Sequence, residues 1–111
     1  QIKKERPDDG RKAIEAASRG HSSCKHIFVV DEDIDIYNPL SVEWAMATRF
    51  QADRDLIHLG RERGSSLDPS AEPETYETCK VGFDLTAPLE TKGKHFNKVS
   101  FPSVNPSDFL E

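Results

Sequence analysis

The chain has 111 residues, enough for one domain at most, and 35% of them are hydrophobic. That share is below the roughly 45–50% usual for globular domains, so we expect a small core that is not self-sufficient. Its 20 acidic and 15 basic residues give a formal net charge of -5, which argues against nucleic acid or anionic lipid as a partner. No apolar run approaches the roughly 20 residues that span a bilayer, so no membrane span is predicted.

The two cysteines, Cys24 and Cys79, lie far apart in the chain and form no CxxC pair. Neither a zinc knuckle nor a disulfide framework is indicated, and reduced thiols in the cytoplasm are expected. The chain begins with QIKKERPDDG, which contains neither an initiating Met nor a signal-type apolar stretch. We therefore expect a fragment of a longer cytoplasmic protein.

The first two predicted elements are a helix and a strand. Residues 7–20 predict a helix, in which Asp8 or Asp9 caps the first amides and Gly20 ends the last turn. Residues 27–30 form the unbroken apolar run IFVV. Such a run is typical of a strand that is covered on both faces, usually in a parallel sheet.

A second helix and a second strand follow. Asn38 and Pro39 predict a helix start, and the helix should extend over about residues 39–50. Three apolar residues have helical spacing there: Leu40, Trp44 and Ala47. Residues 53–55 predict a charged turn, and residues 56–59 a weaker strand. The predicted fold class is α/β, a fragment of a layered domain with helix-strand-helix-strand order and a mostly parallel sheet.

The second half of the chain has no regular period at first. Residues 60–79 contain glycine, serine and proline, and they predict a long irregular segment. Such a segment is uncommon in a compact domain unless it is functional or disordered. A short KVGFDLT piece, a charged KGKHFNK patch and a tail over residues 95–111 follow it.

The acidic run DEDID is the first candidate site. Asp31, Asp33 and Asp35 match the first three ligand positions of an EF-hand calcium loop. The sixth position is Ile36, where the sharp turn needs glycine, and the twelfth is Val42, where a bidentate Glu is required. A calcium loop is therefore not predicted.

Two other interpretations of the acidic run stay open. Magnesium could bind carboxylates at the end of a buried strand, but no Gly-rich phosphate loop or Walker lysine accompanies them. Alternatively, the acids accept backbone N–H bonds at the corner and pair with Arg49 or Arg54. We favour the second interpretation, because carboxylates at such corners are common structural devices.

Histidines, serines and the late basic patch offer further candidates. The four histidines show no i, i+4 pair and no cysteine at ligand spacing. The serines include no GxSxG motif, so hydrolase chemistry is not predicted. The KGKHFNK patch is expected to be a solvated surface rather than an anion site.

Several features in order resemble the carboxyl-terminal domain of the UbiD family of decarboxylases. They lie in VVDEDIDIYNPLSVEWAMATRFQADRDL, residues 29–56, and in RGSSLDPSAEPETYETCKVGFDLTAPL, residues 63–89. The features are an apolar strand, the acidic run, a W-A-x-A-T-R helix, a D-R-D turn, a G-S-S-L-D-P-S loop and a K-x-G-x-D piece. Lys25 matches the basic residue that family members show just before the strand.

The resemblance implies an enzyme that reversibly removes CO2 from aromatic, heteroaromatic or α,β-unsaturated acids. Family members use prenylated FMN as the electron sink, held with a divalent metal (manganese) and potassium. Their Glu-Arg-Glu set and their Asn, His and Glu metal ligands lie upstream of this domain. No catalytic residue and no metal ligand is therefore carried over, and the chain alone is expected to be inactive and to bind no cofactor.

One site does transfer by the resemblance. In family members the loop after the second strand lines the substrate side of the flavin, and here this loop places Ser65, Ser66 and Leu67 at the pocket. Ser65 is small and polar where members acting on cinnamate-like acids carry a bulky aromatic residue, which hints at a different or more polar substrate. Alternatively, both serines only satisfy turn amides. Arg19 lies near a position where some members place a basic residue toward the cofactor phosphate, and its role stays open.

The expected partners are the upstream flavin-binding domain of the same enzyme, further copies in a homo-oligomer, and a small acid substrate. Two alternatives remain. The chain could be a noncatalytic oligomerisation or interaction module, which would also lack catalytic residues. It could instead be an acidic domain that binds a divalent metal, an interpretation that depends wholly on the DEDID run.

Overall fold

A computed structural model describes residues 1–90, so the KGKHFNK patch and the tail over residues 95–111 lie outside the described residues. The helices are α1 (Asp9–Gly20), α2 (Pro39–Arg49) and the single-turn α3 (Ala52–Asp55). The strands are β1 (His26–Val30), β2 (Leu56–Arg63) and β3 (Glu77–Leu85). The predicted α/β class and the order of the first four elements are confirmed, although the predicted turn at residues 53–55 is part of α3.

The three strands form one sheet in the order β1-β3-β2. β1 pairs with β3 in parallel, with Phe28 opposite Phe83, whereas β2 pairs with β3 antiparallel. The sheet is therefore mixed, which corrects the expectation of a mostly parallel one. The physical reason lies in the connection: a loop without a helix joins β2 to β3, and a parallel pair would need a crossover connection.

The predicted irregular segment over residues 60–79 is shorter in the structure. β2 continues to Arg63 and β3 begins at Glu77, so only residues 64–76 form a loop. The pairing register shifts between His58 and Gly60, and Gly60 has a φ of 87°. This bulge interrupts the two-residue alternation that would have indicated a longer strand.

The hydrophobic core lies on both faces of the sheet. On one face, Ile27 and Val29 of β1 pack with Ile14 of α1. On the other, Val30 packs with Ala45 of α2 and with residues that include Ile34 and Leu85. The expectation of a strand covered on both faces holds at its carboxyl end only, because Phe28 is 42% exposed and stacks on Phe83 at 4.7 Å.

The start of α1 differs from the predicted cap. Asp8 occupies the N-cap position but makes no side-chain cap hydrogen bond. Instead, Asp9 Oδ2 accepts hydrogen bonds of 2.9 Å from the backbone N–H groups of Glu5 and Arg6. These two backbone donors lower the pKa of Asp9. The carboxylate therefore organises the segment before the helix rather than the first helical turn.

The start of α2 agrees with the prediction. Asn38 Oδ1 accepts a 3.1 Å hydrogen bond from the Leu40 backbone N–H, and Pro39 stands in the first turn. The buried face, however, consists of Ser41, Ala45 and Arg49. Of the three predicted apolar residues, Trp44 is partly buried against the core, whereas Ala47 is exposed and Leu40 is 73% exposed. The helices of residues 1–90 have at most 12 residues, too few for a membrane-spanning segment.

Candidate functional site

The acidic corner after β1 is built around the Arg49 guanidinium. Arg49 Nη1 donates to Asp31 Oδ2 at 2.8 Å and to Asp33 Oδ1 at 2.9 Å, and Nη2 donates to Asp33 Oδ2 at 2.8 Å. Asp31 is fully buried and Arg49 is 2% exposed. The hydrogen bond to Asp33 is the largest of the effects that raise the pKa of Arg49. The predicted pairing with Arg49 is therefore confirmed for Asp31 and Asp33.

The corner also ties three segments of the chain together. Asp31 Oδ2 accepts a 2.9 Å hydrogen bond from the Ala87 backbone N–H, just beyond β3. The Arg49 guanidinium lies 5.0 Å from the Trp44 ring centroid, within the range of a cation–π contact. Arg54, the other arginine expected to pair with these acids, pairs with its neighbour Asp55 at 3.1 Å. The DEDID run is thus a structural junction between β1, α2 and the end of β3.

The metal interpretations find no matching geometry. Within residues 1–90, no group of three or more His, Cys, Asp or Glu side chains is placed to hold an ion. His58 Nδ1 lies 3.9 Å from Cys79 Sγ, and the His26 ring packs edge-on against Phe83. Arg49 pairs with Asp31 and Asp33, two of the three carboxylates on which the calcium interpretation depended.

The loop at residues 64–76 contains the predicted pocket residues. Its base is closed by a 2.8 Å hydrogen bond from the Gly64 backbone N–H to the Tyr76 carbonyl oxygen. Tyr76 adopts a left-handed φ of 58°, and the Arg63 guanidinium lies 5.5 Å from its ring centroid. A loop of this length inside a small domain is unusual unless it has a function.

Ser65, Ser66 and Leu67 are consecutive residues in the first part of this loop, directly after Gly64, and we refer to residues 65–67 as the loop tip. Ser65 Oγ accepts a 3.1 Å hydrogen bond from the Leu67 backbone N–H, and the Ser65 carbonyl accepts one of 3.2 Å from Asp68. Ser65 therefore binds a backbone amide of the turn, as the alternative interpretation of the serines predicts. Leu67 is 89% exposed, so its apolar side chain has almost no cover within residues 1–90.

A cleft of about 390 Å³ lies elsewhere, between α1 and the end of β3. Its walls include Lys4, Arg11, Asp84 and Leu89. Charges of both signs line it, and Lys4 Nζ already donates to Thr86 Oγ1 at 3.1 Å. Arg19 is exposed in the last turn of α1 and is not among its lining residues.

A charged cluster joins the loop to the start of β1. Lys25 Nζ lies 3.0 Å from Asp68 Oδ2 and donates to Ser70 Oγ at 2.5 Å. Asp68 Oδ1 accepts hydrogen bonds from the Ser70 backbone N–H at 2.9 Å and from Ser70 Oγ at 2.7 Å. We call these residues the Lys25–Asp68–Ser70 cluster. Sequence reasoning noted Lys25 but missed this contact, although the Asp-Pro-Ser turn was a signal for the Asp68–Ser70 part.

The cluster makes one pH-dependent contribution to stability. The hydrogen bond from Ser70 Oγ, then that from Lys25, lowers the pKa of Asp68 from 3.8 to about 2. Because the folded-state pKa is the lower one, Asp68 stabilises the fold fully above about pH 4 and loses this effect as the pH falls toward 2. We expect the wild type to exceed Asp68→Asn in unfolding free energy at pH 7, and the difference to shrink between pH 4 and 2.

Urea denaturation followed by circular dichroism at a series of pH values measures this difference. The control is Asp8→Asn, which removes an exposed carboxylate 3.2 Å from Lys12 and should change stability little. A difference between wild type and Asp68→Asn that stays constant from pH 7 to pH 2 would contradict the expectation.

Comparison with known proteins identifies the family. The model of the UbiD_C family, described as the 3-octaprenyl-4-hydroxybenzoate carboxy-lyase C-terminal domain, matches residues 1–85. The chain belongs to the UbiD family. The resemblance stated from the sequence is therefore confirmed, and the UbiD domain here includes all the helices and strands described above.

Similar proteins include named decarboxylases. Anhydromevalonate phosphate decarboxylase of Aeropyrum pernix is 52% identical over 89 residues, covering 80% of this chain and 20% of that protein. Gallate decarboxylase of Lactiplantibacillus plantarum is 36% identical over 108 residues, covering 87% of this chain and 22% of that protein. The chain thus spans about a fifth of the length of these relatives.

Solved structures show the same fold. The UbiD-class enzyme HmfF of Pelotomaculum thermopropionicum, solved in complex with FMN, matches with a TM-score of 0.83 and 38% identity. The match covers 98% of this chain and 25% of HmfF. The mixed sheet with its helices is therefore the fold of the corresponding part of UbiD-class enzymes.

Proposed function

We propose that this chain is the carboxyl-terminal part of a reversible, non-oxidative decarboxylase of the UbiD class. The observation that carries the proposal is the family match over residues 1–85, together with the HmfF-like fold. The similar proteins named above are decarboxylases at 36–52% identity. In this proposal the catalytic groups lie in the remainder of the enzyme, and the chain alone is inactive.

The described residues form no cluster of metal-ligating side chains. Solved UbiD-class neighbours include HmfF in complex with FMN and an evolved dimeric HmfF in complex with prenylated FMN. Residues 1–90 present no group of three metal-ligating side chains, and Arg49 holds the carboxylates of the acidic corner. In this proposal, prenylated FMN, a divalent metal such as manganese, and potassium are bound by other parts of the enzyme.

The contribution of this chain to the active site is the loop tip at Ser65, Ser66 and Leu67. Three features support it. The tip is held by defined hydrogen bonds, so it can present a fixed surface. Leu67 carries an apolar side chain that is 89% exposed and is therefore available for contact with a substrate. Ser65 offers little bulk, which leaves space beside the tip for a substrate.

The substrate class can be narrowed within the proposal. Five anhydromevalonate phosphate decarboxylases are 44–52% identical to the chain, whereas gallate decarboxylase is 36% and a phenolic acid decarboxylase 33% identical. We infer a short unsaturated acid with a phosphate group rather than a planar aromatic acid. The small, polar Ser65 agrees with a substrate that has no aromatic ring.

The test uses the full-length enzyme that contains this chain. CO2 release is measured from anhydromevalonate phosphate, gallate and a phenolic acid, each with enzyme loaded with prenylated FMN. The expected result is a kcat/KM for the phosphorylated acid at least about a hundredfold above the others, a difference in transition-state binding of roughly 2.7 kcal/mol. Release of CO2 from none of the three acids would reject the proposal.

The side chain at Ser65 should influence which acid is accepted. Ser65→Phe is expected to lower kcat/KM for the preferred acid by roughly tenfold or more, because a phenyl ring would fill the space beside the loop tip. Ser65→Ala separates the loss of the hydroxyl from the added bulk, and it should have the smaller effect. Glu74→Phe adds the same ring elsewhere in the loop and serves as the matched control. Equal effects of Ser65→Phe and Glu74→Phe would show that Ser65 does not line the pocket.

A noncatalytic interaction module is the second candidate. It is favoured by exposed apolar side chains just before α2 and in its first turn: Tyr37 is 88%, Leu40 73% and Ile36 48% exposed. Within the proposed enzyme, the rest of the same polypeptide covers this surface, since the chain is about a fifth of its relatives' length.

We also infer a homo-oligomer in the cytoplasm, where the free thiols of Cys24 and Cys79 would stay reduced. An enzyme that assembles but releases no CO2 would favour the module.

A further inference from the structure

We propose that the Lys25–Asp68–Ser70 cluster positions the loop tip for the substrate, so that Lys25 and Asp68 are positioning residues of the decarboxylase. The inference rests on the proposed function, because the tip matters to substrate only if it lines the pocket. All residues of the cluster lie in the described chain, and its effect on the loop can be measured without an activity assay.

The fixed end of the cluster is Lys25. This residue directly precedes β1, and its carbonyl oxygen accepts a 3.0 Å hydrogen bond from the Val81 backbone N–H in the central strand. Its backbone thus belongs to the parallel ladder. The ammonium group reaches from this rigid position to the loop, and the Lys25 side chain is 33% exposed. An ammonium group that is partly shielded from water attracts a carboxylate more strongly than one in open solvent.

The other end of the cluster is the turn that follows the tip. Asp68 is the residue after Leu67, and its side chain is 17% exposed. One carboxylate oxygen faces Lys25 and the other accepts two hydrogen bonds from Ser70. The Asp68 backbone N–H donates to the Ser65 carbonyl oxygen at 3.2 Å. A continuous set of contacts therefore joins the sheet to both ends of the segment from Ser65 to Leu67.

A second ion pair joins the loop to a strand, but it is more exposed than the pair between Lys25 and Asp68. Arg61 Nη2 lies 3.3 Å from Glu72 Oε1, but the two side chains are 54% and 60% exposed. Exposed pairs of this kind contribute little, because water screens the charges and two long side chains lose freedom. Glu72 is also farther along the loop from the tip than Asp68. Of these two ion pairs of the loop within residues 1–90, the one in the Lys25–Asp68–Ser70 cluster is therefore less exposed and nearer the tip.

The experiment compares variants of the full-length enzyme by hydrogen exchange and kinetics. Lys25→Met removes the charge and keeps most of the stem, Lys25→Arg keeps the charge, and Asp68→Asn keeps the shape of the side chain. Lys12→Met, which removes an exposed partner of Asp8 on α1, is the matched control. Exchange is followed in peptides covering residues 65–71, with β3 peptides as an internal standard for global stability.

We expect Lys25→Met and Asp68→Asn to raise the exchange rate of residues 65–71 by roughly three- to tenfold, the range for a partly exposed charged contact. The β3 peptides should not change, and Lys25→Arg and Lys12→Met should resemble wild type. The same two loop variants should lower kcat/KM by a similar factor, and Lys25→Arg should restore it. A purely structural role would not give this agreement between loop exchange and kinetics.

Each contrary result has a distinct meaning. Unchanged exchange at residues 65–71 in both loop variants overturns the inference, whatever the kinetics show. Faster exchange with unchanged kcat/KM also overturns it, because the tip would then be held by the cluster without serving the substrate. If the wild-type enzyme releases no CO2, the proposed function fails, and with it the positioning role.

Discussion

Replacing Arg49 with methionine is expected to lower the free energy of unfolding by about 3–5 kcal/mol, the cost of removing one partner from a buried ion pair. Arg49 is 2% exposed and Asp31 is fully buried, with 2.8 Å between Nη1 and Oδ2. The variant would leave the Asp31 carboxylate in the interior without the charge of the guanidinium. The Ala87 backbone N–H would still donate to Asp31, but a neutral donor does not replace a cation.

Urea denaturation of wild type and Arg49→Met, followed by circular dichroism, measures the loss. Arg54→Met is the matched control, because Arg54 is 54% exposed and pairs only with a neighbouring carboxylate in the described contacts. We expect the control to change stability by less than about 1 kcal/mol. Asp33→Asn should lie between the two, since Asp33 is 44% exposed. An Arg49→Met variant as stable as the control would show that methionine packs well enough to replace the ion pair.

Local signals explain most of what the sequence predicted correctly. Asn38 and Pro39 act within one helical turn, so the start of α2 could be predicted without knowing what the helix packs on. The pairing of the DEDID acids with Arg49 could also be expected, because the corner and helix lie close together in sequence. The apolar spacing alone did not predict that Arg49 is on the buried face of α2, where it pairs with Asp31.

Distant contacts explain what the sequence did not predict. β3 is the central strand, yet only its KVGFDLT part was noted, since its pairing depends on β1 and β2 from the first half of the chain. The contact of Lys25 with Asp68 joins residues far apart in sequence, and no local pattern indicates it. The pocket assignment of Ser65, Ser66 and Leu67 came from the family resemblance and stays a prediction.

The contact between α1 and β3 leads to the second large expected effect. Ile14 is fully buried and packs with Ile27, Val29 and Ile57. Ile14→Ala is expected to lower the free energy of unfolding by about 2–5 kcal/mol, because it removes buried methyl groups and leaves a cavity. The same denaturation experiment measures this loss, and a change below about 1 kcal/mol would mean that the helix settles onto the sheet.

Gly82 makes this expectation sharper, because it lies in β3 directly beneath Ile14. A Cβ atom at Gly82 would overlap the Ile14 side chain, whereas one at Gly20 would meet no atom within 4 Å. We expect Gly82→Ala to cost about 1–3 kcal/mol through overpacking, and Gly20→Ala to cost far less. In the double variant, the added methyl group at residue 82 enters the space that Ile14→Ala opens. Its loss of stability should therefore fall short of the sum of the single losses by about 0.5–3 kcal/mol. Strict additivity would mean that α1 moves away from the sheet in either single variant.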